Sequence, residues 1–337
     1  MHTHLKDRSS YISGPFFDFF FILLAPLWGI LISVLIVLAG ADTFGATFIR
    51  VFTMGHLFIV LFRSHGNDNI RRLYPIRFFL IPALLLTGNF FSLTFYFICS
   101  VLAVWWDAYH SGLQTFGFGR IYDLRAKNNL EEGRRLDYVF NLFIYIGPIL
   151  AGANLIDHLH EFTSFQATPF KFLSQVPFYA MGIRRYLTII FAVSAVIFIP
   201  FYIFKNIELV RKGRVVSFQK VILFSITSIV CIWAWGFNPF GKAFFIMNFF
   251  HAFQYFAFVW WSEKGNISNK IRVKGTVLPA VLVVLVGFGY GIIIENQIAK
   301  SFGFATSFSV VISLLHFWYD GFIWSVQKKQ IESNYNP

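Results

Sequence analysis

Ten apolar segments, separated by short polar stretches, run through this chain of 337 residues. They lie at residues 15–40, 44–63, 76–89, 91–117, 138–156, 186–205, 219–236, 241–262, 276–295 and 303–326. A membrane-spanning helix needs about 20 predominantly apolar residues, and all but the third segment approach or exceed that length. The sequence therefore predicts an all-α, polytopic integral membrane helix bundle, with residues 1–337 as a single transmembrane domain.

Composition agrees with this class. Charged residues make up 13% of the chain, against about 25% in an average soluble domain. The formal net charge of +12 is high enough to suggest nucleic-acid binding, but the placement of the basic residues explains it better, and we expect no nucleic-acid partner. Cys99 and Cys231 lie within apolar segments without a Cys-x-x-Cys pair, which predicts small buried side chains.

Basic residues alternate between the loops. If the N-terminus is cytoplasmic, 22 of the 28 Lys and Arg residues fall in cytoplasmic loops. Short loops rich in Lys and Arg face the cytoplasm in membrane proteins. One helix more or fewer would move basic loops to the opposite side. The pattern therefore predicts about ten transmembrane helices, with both termini in the cytoplasm.

Four histidines lie inside apolar segments at a similar depth: His56, His110, His251 and His316. With a rise of about 1.5 Å per residue, each lies roughly 10–20 Å from the cytoplasmic end of its helix. A histidine within a bilayer is costly unless its ring nitrogens are satisfied, and so marks a functional-site candidate. Independent structural histidines need not share a depth, so we expect these four to meet and bind a metal. The simpler interpretation is that each ring hydrogen-bonds a neighbouring helix.

Acidic residues accompany two of these histidines at helical spacing. Asp107 precedes His110 by three residues, and Asp320 follows His316 by four. A metal-bound imidazole usually donates its second N–H to a carboxylate or carbonyl, so we expect both aspartates to orient a ligand. Buried carboxylates and histidines also line proton paths, which leaves a proton relay as the alternative role.

The ligand type limits the metal. Imidazole favours Fe, Cu or Zn over Mg or Ca. Several histidines with a carboxylate and an open position are typical of non-heme Fe(II) sites that use O₂. Fe(II) is therefore the first expectation, with Zn or Cu as alternatives and a b-type heme between two facing histidines as a third. His65, at the cytoplasmic mouth, is an alternative to His56 as a ligand.

A separate histidine pair occurs in the loop 157–185, on the opposite side of the membrane. The stretch Asp157-His158-Leu159-His160-Glu161 places two histidines beside two acids, an arrangement that can bind a surface metal. The spacing is common, and a solvated loop is the simpler interpretation.

Four short motifs occur in the order found in a known family. His251-Ala-Phe-Gln-Tyr-Phe-Ala-Phe-Val-Trp260 resembles its His-x-x-x-His-Phe-x-Phe-Val-Trp segment, and His316-Phe-Trp-Tyr-Asp-Gly-Phe-Ile-Trp324 is similar to its C-terminal His-x-x-x-x-Asp-Phe-Ile helix. His110-Ser-Gly resembles its His-Phe-Gly motif, and Ser64-His65-Gly66-Asn67-Asp68 resembles its Pro-His-Gly-x-x-Asp motif. The family is that of the bacterial β-carotene dioxygenases of the Brp/Blh type, and the resemblance covers these motifs rather than the whole chain.

The resemblance implies a membrane helix bundle with one non-heme iron on four histidines, which cleaves a carotenoid with O₂ in a bacterial inner membrane. Carried over by position, the ligands fall on His65 or His56, His110, His251 and Tyr255. A tyrosine at the last position departs from the family pattern, and His316 is the candidate for the missing nitrogen.

The expected function is an integral-membrane, histidine-ligated metalloenzyme. It is an iron- and O₂-dependent oxygenase acting on a hydrophobic isoprenoid, carotenoid or acyl-chain substrate, with Asp107, Tyr255 and Asp320 as the expected catalytic residues. Its expected partners are that substrate and the membrane lipids. One alternative is a proton-coupled transporter with buried His and Asp as the relay, and another is a heme-binding membrane subunit. The inverted repeats with broken helices of many transporters are not visible in the sequence.

Overall fold

All regular elements of the described chain are helices. The computed structural model describes residues 10–151, 171–298 and 303–324. The helices are α1 Pro15–Phe17, α2 Ala25–Leu38, α3 Asp42–Phe58, α4 Val60–Ser64, α5 Asp68–Leu73, α6 Ile81–Phe91, α7 Leu93–Arg125, α8 Arg134–Ala151, α9 Lys171–Arg211, α10 Phe218–Gly236, α11 Ala243–Ile271, α12 Val277–Ile298 and α13 Phe304–Ile323. Two π-helical turns, Asp18–Leu23 and Ile76–Leu80, precede α2 and α6. The all-α prediction is confirmed for the described residues.

Five helical segments of the described chain are long and apolar enough to cross a membrane. They are Asp42–Ser64, Gly182–Arg211, Phe218–Gly236, Ala243–Ile271 and Val277–Asn296. Pro15–Leu23 and Ala25–Leu38, bent by 55°, form a sixth if they are counted as one span. All ten predicted segments overlap helices, but the remaining four are shorter or more polar than these. Five or six such segments are compatible with a multi-pass membrane protein.

Residue contacts divide the chain into two compact units. The first comprises Met1–Leu31 and Ala108–Met247, and the second comprises Ile32–Asp107 and Asn248–Pro337. Three helices, α2, α7 and α11, contribute residues to both units.

A buried ionic cluster joins three helices of the first unit. It consists of Arg120, Asp123, Asp137, Arg214 and Lys220, which are all buried. Lys220 Nζ binds both carboxylates, Arg120 lies 2.7 Å from Asp137 and 2.9 Å from Asp123, and Arg214 lies 2.8 Å from Asp123. Buried charges are tolerated when they are paired and hydrogen-bonded, and each carboxylate here faces at least two cations. The cluster ties α7, α8 and α10 together.

Glycines allow α3 and α12 of the second unit to approach closely. Gly287 and Gly291 form a Gly-x-x-x-Gly motif on α12. A Cβ atom on Gly55 would lie 2.7 Å from the carbonyl oxygen of Gly287, and one on Gly291 would overlap the carbonyl of Val51. Small residues at such crossings let the backbones of membrane helices meet. Since Gly55 directly precedes His56, this crossing fixes the position of that histidine.

Candidate metal centre

Three of the predicted histidines converge within the second unit. His56 lies on α3, His251 on α11 and His316 on α13, and one ring nitrogen of each lies within 4.8 Å of the others. The ring centroid of His56 is 4.9 Å from that of His251 and 5.0 Å from that of His316. Metal–nitrogen bonds of about 2.0–2.1 Å place two ligand nitrogens about 3–4 Å apart. Modest side-chain rotations therefore suffice for the three rings to share one ion.

His56 has the environment expected of a ligand. The ring is only 1% exposed. The backbone of Thr53, one turn earlier, interacts with it, but neither ring nitrogen meets the geometry of a hydrogen bond with any described group. A buried polar atom left in this state costs about 1–3 kcal/mol. A metal ion would satisfy the ring, whereas the alternative of a hydrogen bond to a neighbouring helix is not seen for His56 among the described residues.

A carboxylate and a phenol lie beside the cluster. The Tyr255 hydroxyl donates a hydrogen bond of 2.8 Å to Oδ1 of Asp320. Oδ2 of Asp320 lies 3.8 Å from Nε2 of His316, and the ring centroid of Tyr255 is 4.6 Å from that of His316. Tyr255 follows His251 by four residues on α11, so both project from the same face of that helix. The tyrosine therefore reaches the carboxylate that adjoins the cluster.

Aromatic rings surround part of the cluster. Phe52, one turn before His56, has its ring centroid 5.1 Å from that of Phe256 and 5.4 Å from that of Phe249. All three side chains are buried. These rings pack on one another and form an apolar layer one helical turn from His56.

His65 occupies a different environment. Its Nε2 lies 2.9 Å from the carbonyl oxygen of Phe78, and its Nδ1 lies 2.8 Å from the Ser64 hydroxyl. Because a carbonyl only accepts, Nε2–H donates to Phe78. In a neutral ring Nδ1 is then an acceptor, and it shares the Ser64 hydroxyl proton with the carbonyl oxygen of Val60, which lies 3.2 Å from that hydroxyl. Burial lowers the pKa of His65, which favours this neutral ring. The three-histidine cluster thus contains His56, and His65 joins its own helix end to the segment before α6.

His110 and Asp107 both lie on α7. His110 is buried and belongs to the first unit, whereas Asp107 is half-buried and is the last α7 residue of the second unit. The cluster of His56, His251 and His316 lies in the second unit.

The remaining sequence predictions concern the two cysteines and the histidine pair of the loop 157–185. Cys99 and Cys231 are both buried free thiols, as predicted. The histidine pair His158 and His160, and the C-terminal segment 325–337, lie outside the described residues.

Sequence reasoning missed a buried ion pair in the second unit. Arg63 lies 2.7 Å from Glu263, and neither side chain has exposed surface. Arg63 counted only as a signal of topology in the sequence. The signal that points to the pair is Glu263 itself, an acid near the end of α11 that the sequence predicts to be cytoplasmic, where basic residues are expected.

The cluster offers three imidazole nitrogens and an adjacent carboxylate in a buried, aromatic environment. Histidine nitrogens of this kind can hold Fe, Cu or Zn, and the carboxylate can orient one of them. Comparisons with protein-family models, with curated proteins and with solved structures found no match for this chain.

Proposed function

We propose that this chain is an integral-membrane metalloenzyme in which His56, His251 and His316 bind one transition-metal ion. The observation that carries the proposal is the convergence of three buried imidazoles from three helices, with one nitrogen of each within 4.8 Å of the others. Fe(II) is the proposed ion, with Zn or Cu as alternatives. When bound, Fe(II) with open coordination positions supplies the activation of O₂.

Asp320 has the proposed role of orienting His316. Its Oδ1 accepts the Tyr255 hydroxyl, and its Oδ2 lies 3.8 Å from Nε2 of His316. This separation is longer than a hydrogen bond, and a small rotation of the imidazole would close it. A carboxylate that accepts the ring N–H holds an imidazole in one tautomer and raises its basicity as a ligand. With Nε2 directed to the carboxylate, Nδ1 of His316 would hold the metal.

The proposed substrate is a hydrophobic molecule oxidised within the membrane. The motif resemblance to β-carotene dioxygenases supports an isoprenoid or carotenoid, and an acyl chain is the alternative. The buried phenylalanines around His56 and His251 suit an apolar substrate and shield the reacting groups from water. Tyr255 and Asp320 are the groups beside the cluster that can hold a proton.

We also propose the finer topology that the basic residues predict. The chain crosses a bacterial inner membrane ten times, with both termini in the cytoplasm. The alternation of basic loops supports this count, and all ten apolar segments overlap helices.

The second candidate function is a proton-coupled transporter. The hydrogen bond from Tyr255 to Asp320, with His316 at 3.8 Å from that carboxylate, is an arrangement that also suits a proton relay. Under this alternative the histidines bind no metal.

Metal analysis and oxygen uptake of the purified protein test the proposal. We expect about one iron per wild-type chain and O₂ consumption when a carotenoid or isoprenoid is added in detergent. His251→Ala should lose both, and Ser228→Ala, a mild change on α10 of the first unit, should keep both. Purified wild-type protein that holds no metal, but carries protons across vesicle membranes, would favour the transporter instead.

A further inference from the structure

The buried ion pair of the second unit has no part in the proposed metal centre. Arg63 on α4 and Glu263 on α11 lie 2.7 Å apart, and both side chains are fully buried. Oε2 of Glu263 also accepts hydrogen bonds from Asn67 at 3.1 Å and from Asn266 at 2.6 Å. Both carboxylate oxygens are therefore held, and the guanidinium is fixed against them.

Stability alone does not account for such a pair. Removing two charges from water costs free energy that their attraction often fails to recover, and apolar replacements of similar volume are frequently neutral or stabilising. The groups that the pair contacts therefore indicate its role.

A line of contacts leads from the ion pair to the histidine cluster. The guanidinium carbon of Arg63 lies 4.8 Å from the centroid of the Trp324 ring. Trp324 Nε1 donates a hydrogen bond of 2.9 Å to Oδ1 of Asp320, the oxygen that also accepts from Tyr255 at 2.8 Å. Oδ2 of the same carboxylate lies 3.8 Å from Nε2 of His316.

We infer that Arg63 and Glu263 are positioning residues that fix the Trp324 indole, and through it the Asp320 carboxylate, in the orientation that faces His316. Glu263 holds the guanidinium, and the guanidinium holds the indole through its attraction to the ring face. The indole and the Tyr255 phenol both bind Oδ1, so the carboxylate cannot turn without losing two hydrogen bonds. The consequence for metal binding rests on the proposed function, whereas the orientation of the carboxylate does not.

Two variants separate orientation from folding. Trp324→Phe keeps an aromatic ring beneath Arg63 and removes the indole donor. The double variant Arg63→Met/Glu263→Met removes both charges together, so that neither remains buried alone. The matched control is Trp260→Phe, which removes an indole hydrogen bond of 3.1 Å to the carbonyl of Thr276 in the same unit.

The first measurement needs no metal. In metal-free protein labelled with ¹⁵N-histidine, the ring signals of His316 are identified by their loss in His316→Ala. We expect both test variants to shift these signals, because the ring loses its fixed carboxylate, and the Trp260→Phe control to leave them unchanged. Unshifted signals in the folded double variant would overturn the positioning role of the ion pair, and unshifted signals in folded Trp324→Phe would overturn the role of the indole.

The second measurement is the affinity for Co(II), used as the probe ion. Changes in the groups that orient a ligand typically lower metal affinity about 10–100-fold, and we expect a loss of this size in both test variants and none in the control. Wild-type affinity in both test variants would overturn the role at the metal centre. If the wild-type protein binds no Co(II) or iron, the proposed function fails, and the nitrogen signals alone decide whether the ion pair positions the carboxylate.

Discussion

At the scale of single residues, alanine substitutions at His56 and His65 should have opposite effects on metal content. His56→Ala should remove the bound metal, because that ring belongs to the cluster. His65→Ala should keep the metal and lower the thermal stability, because it loses the hydrogen bond to the Phe78 carbonyl, worth about 0.5–1.5 kcal/mol. Metal content per chain and melting temperature distinguish the two. Loss of metal in His65→Ala with retention in His56→Ala would exchange their roles.

Depth was the part of the site that the sequence could predict. Counting residues from the predicted cytoplasmic end of each helix placed His56, His110, His251 and His316 in one slab, and three of them, His56, His251 and His316, meet within the second unit. The choice between His56 and His65 depends on rotation about the helix axis. Residues nine apart lie on opposite faces of a regular helix of 3.6 residues per turn, and here the helix is also interrupted at Ile59. Both faces carry polar residues, so the pattern alone left the choice open.

At the scale of helices, the crossing of α3 and α12 offers a matched pair of glycines. A methyl group on Gly291 would overlap the carbonyl of Val51, whereas one on Gly289 meets nothing within 4 Å. Gly291→Ala should therefore destabilise the protein by about 1–3 kcal/mol through overpacking and reduce metal content, because α3 carries His56. Gly289→Ala should be neutral or slightly stabilising, since alanine favours helices by up to about 1 kcal/mol. Equal melting temperatures and metal contents would contradict the close crossing.

Hydropathy predicted where helices form, but it did not predict where a helix bends. Residues 15–40 were predicted as one helix, and the structure bends by 55° between Pro15–Leu23 and Ala25–Leu38. Pro26 lacks an amide proton and its ring clashes with the preceding turn. Nearby, the buried carboxylate of Asp18 accepts hydrogen bonds from the Ile12 and Ser13 amides and from the Tyr122 hydroxyl. Proline was a visible signal, whereas the partners of Asp18 depend on the tertiary fold.

At the scale of the whole molecule, the proposed topology predicts which loops face outward. Lys212 is well exposed, with 68% of its side chain accessible, and Thr43 is exposed at the start of α3. Because the two native cysteines are buried, single cysteines at these positions give a low background. A membrane-impermeant maleimide added to intact cells should label Thr43→Cys and leave Lys212→Cys unlabelled. The reverse pattern would invert the proposed orientation.

The topology prediction depends on the distribution of basic residues between loops, yet some of those residues form ion pairs with buried carboxylates. Four residues of the cytoplasmic set pair with buried carboxylates: Arg63, Arg120, Arg214 and Lys220. Leaving them out, 18 of the remaining 24 Lys and Arg residues still fall on the side that is predicted to be cytoplasmic. The charge asymmetry therefore does not depend on the buried pairs. The sequence could not reveal these pairs, because the tertiary packing of the helices determines which charged side chains meet.

X-ray absorption at the metal edge, recorded on purified wild-type protein and on His251→Ala, directly tests whether the three histidines hold a metal. We expect one ion per chain with imidazole nitrogens at about 2.0–2.2 Å, close to the metal–nitrogen distances of histidine sites. The imidazole scattering should vanish or the metal should be lost in His251→Ala. Metal-free wild-type protein, a porphyrin spectrum, or an unchanged imidazole signal in His251→Ala would contradict a metal centre built from His56, His251 and His316.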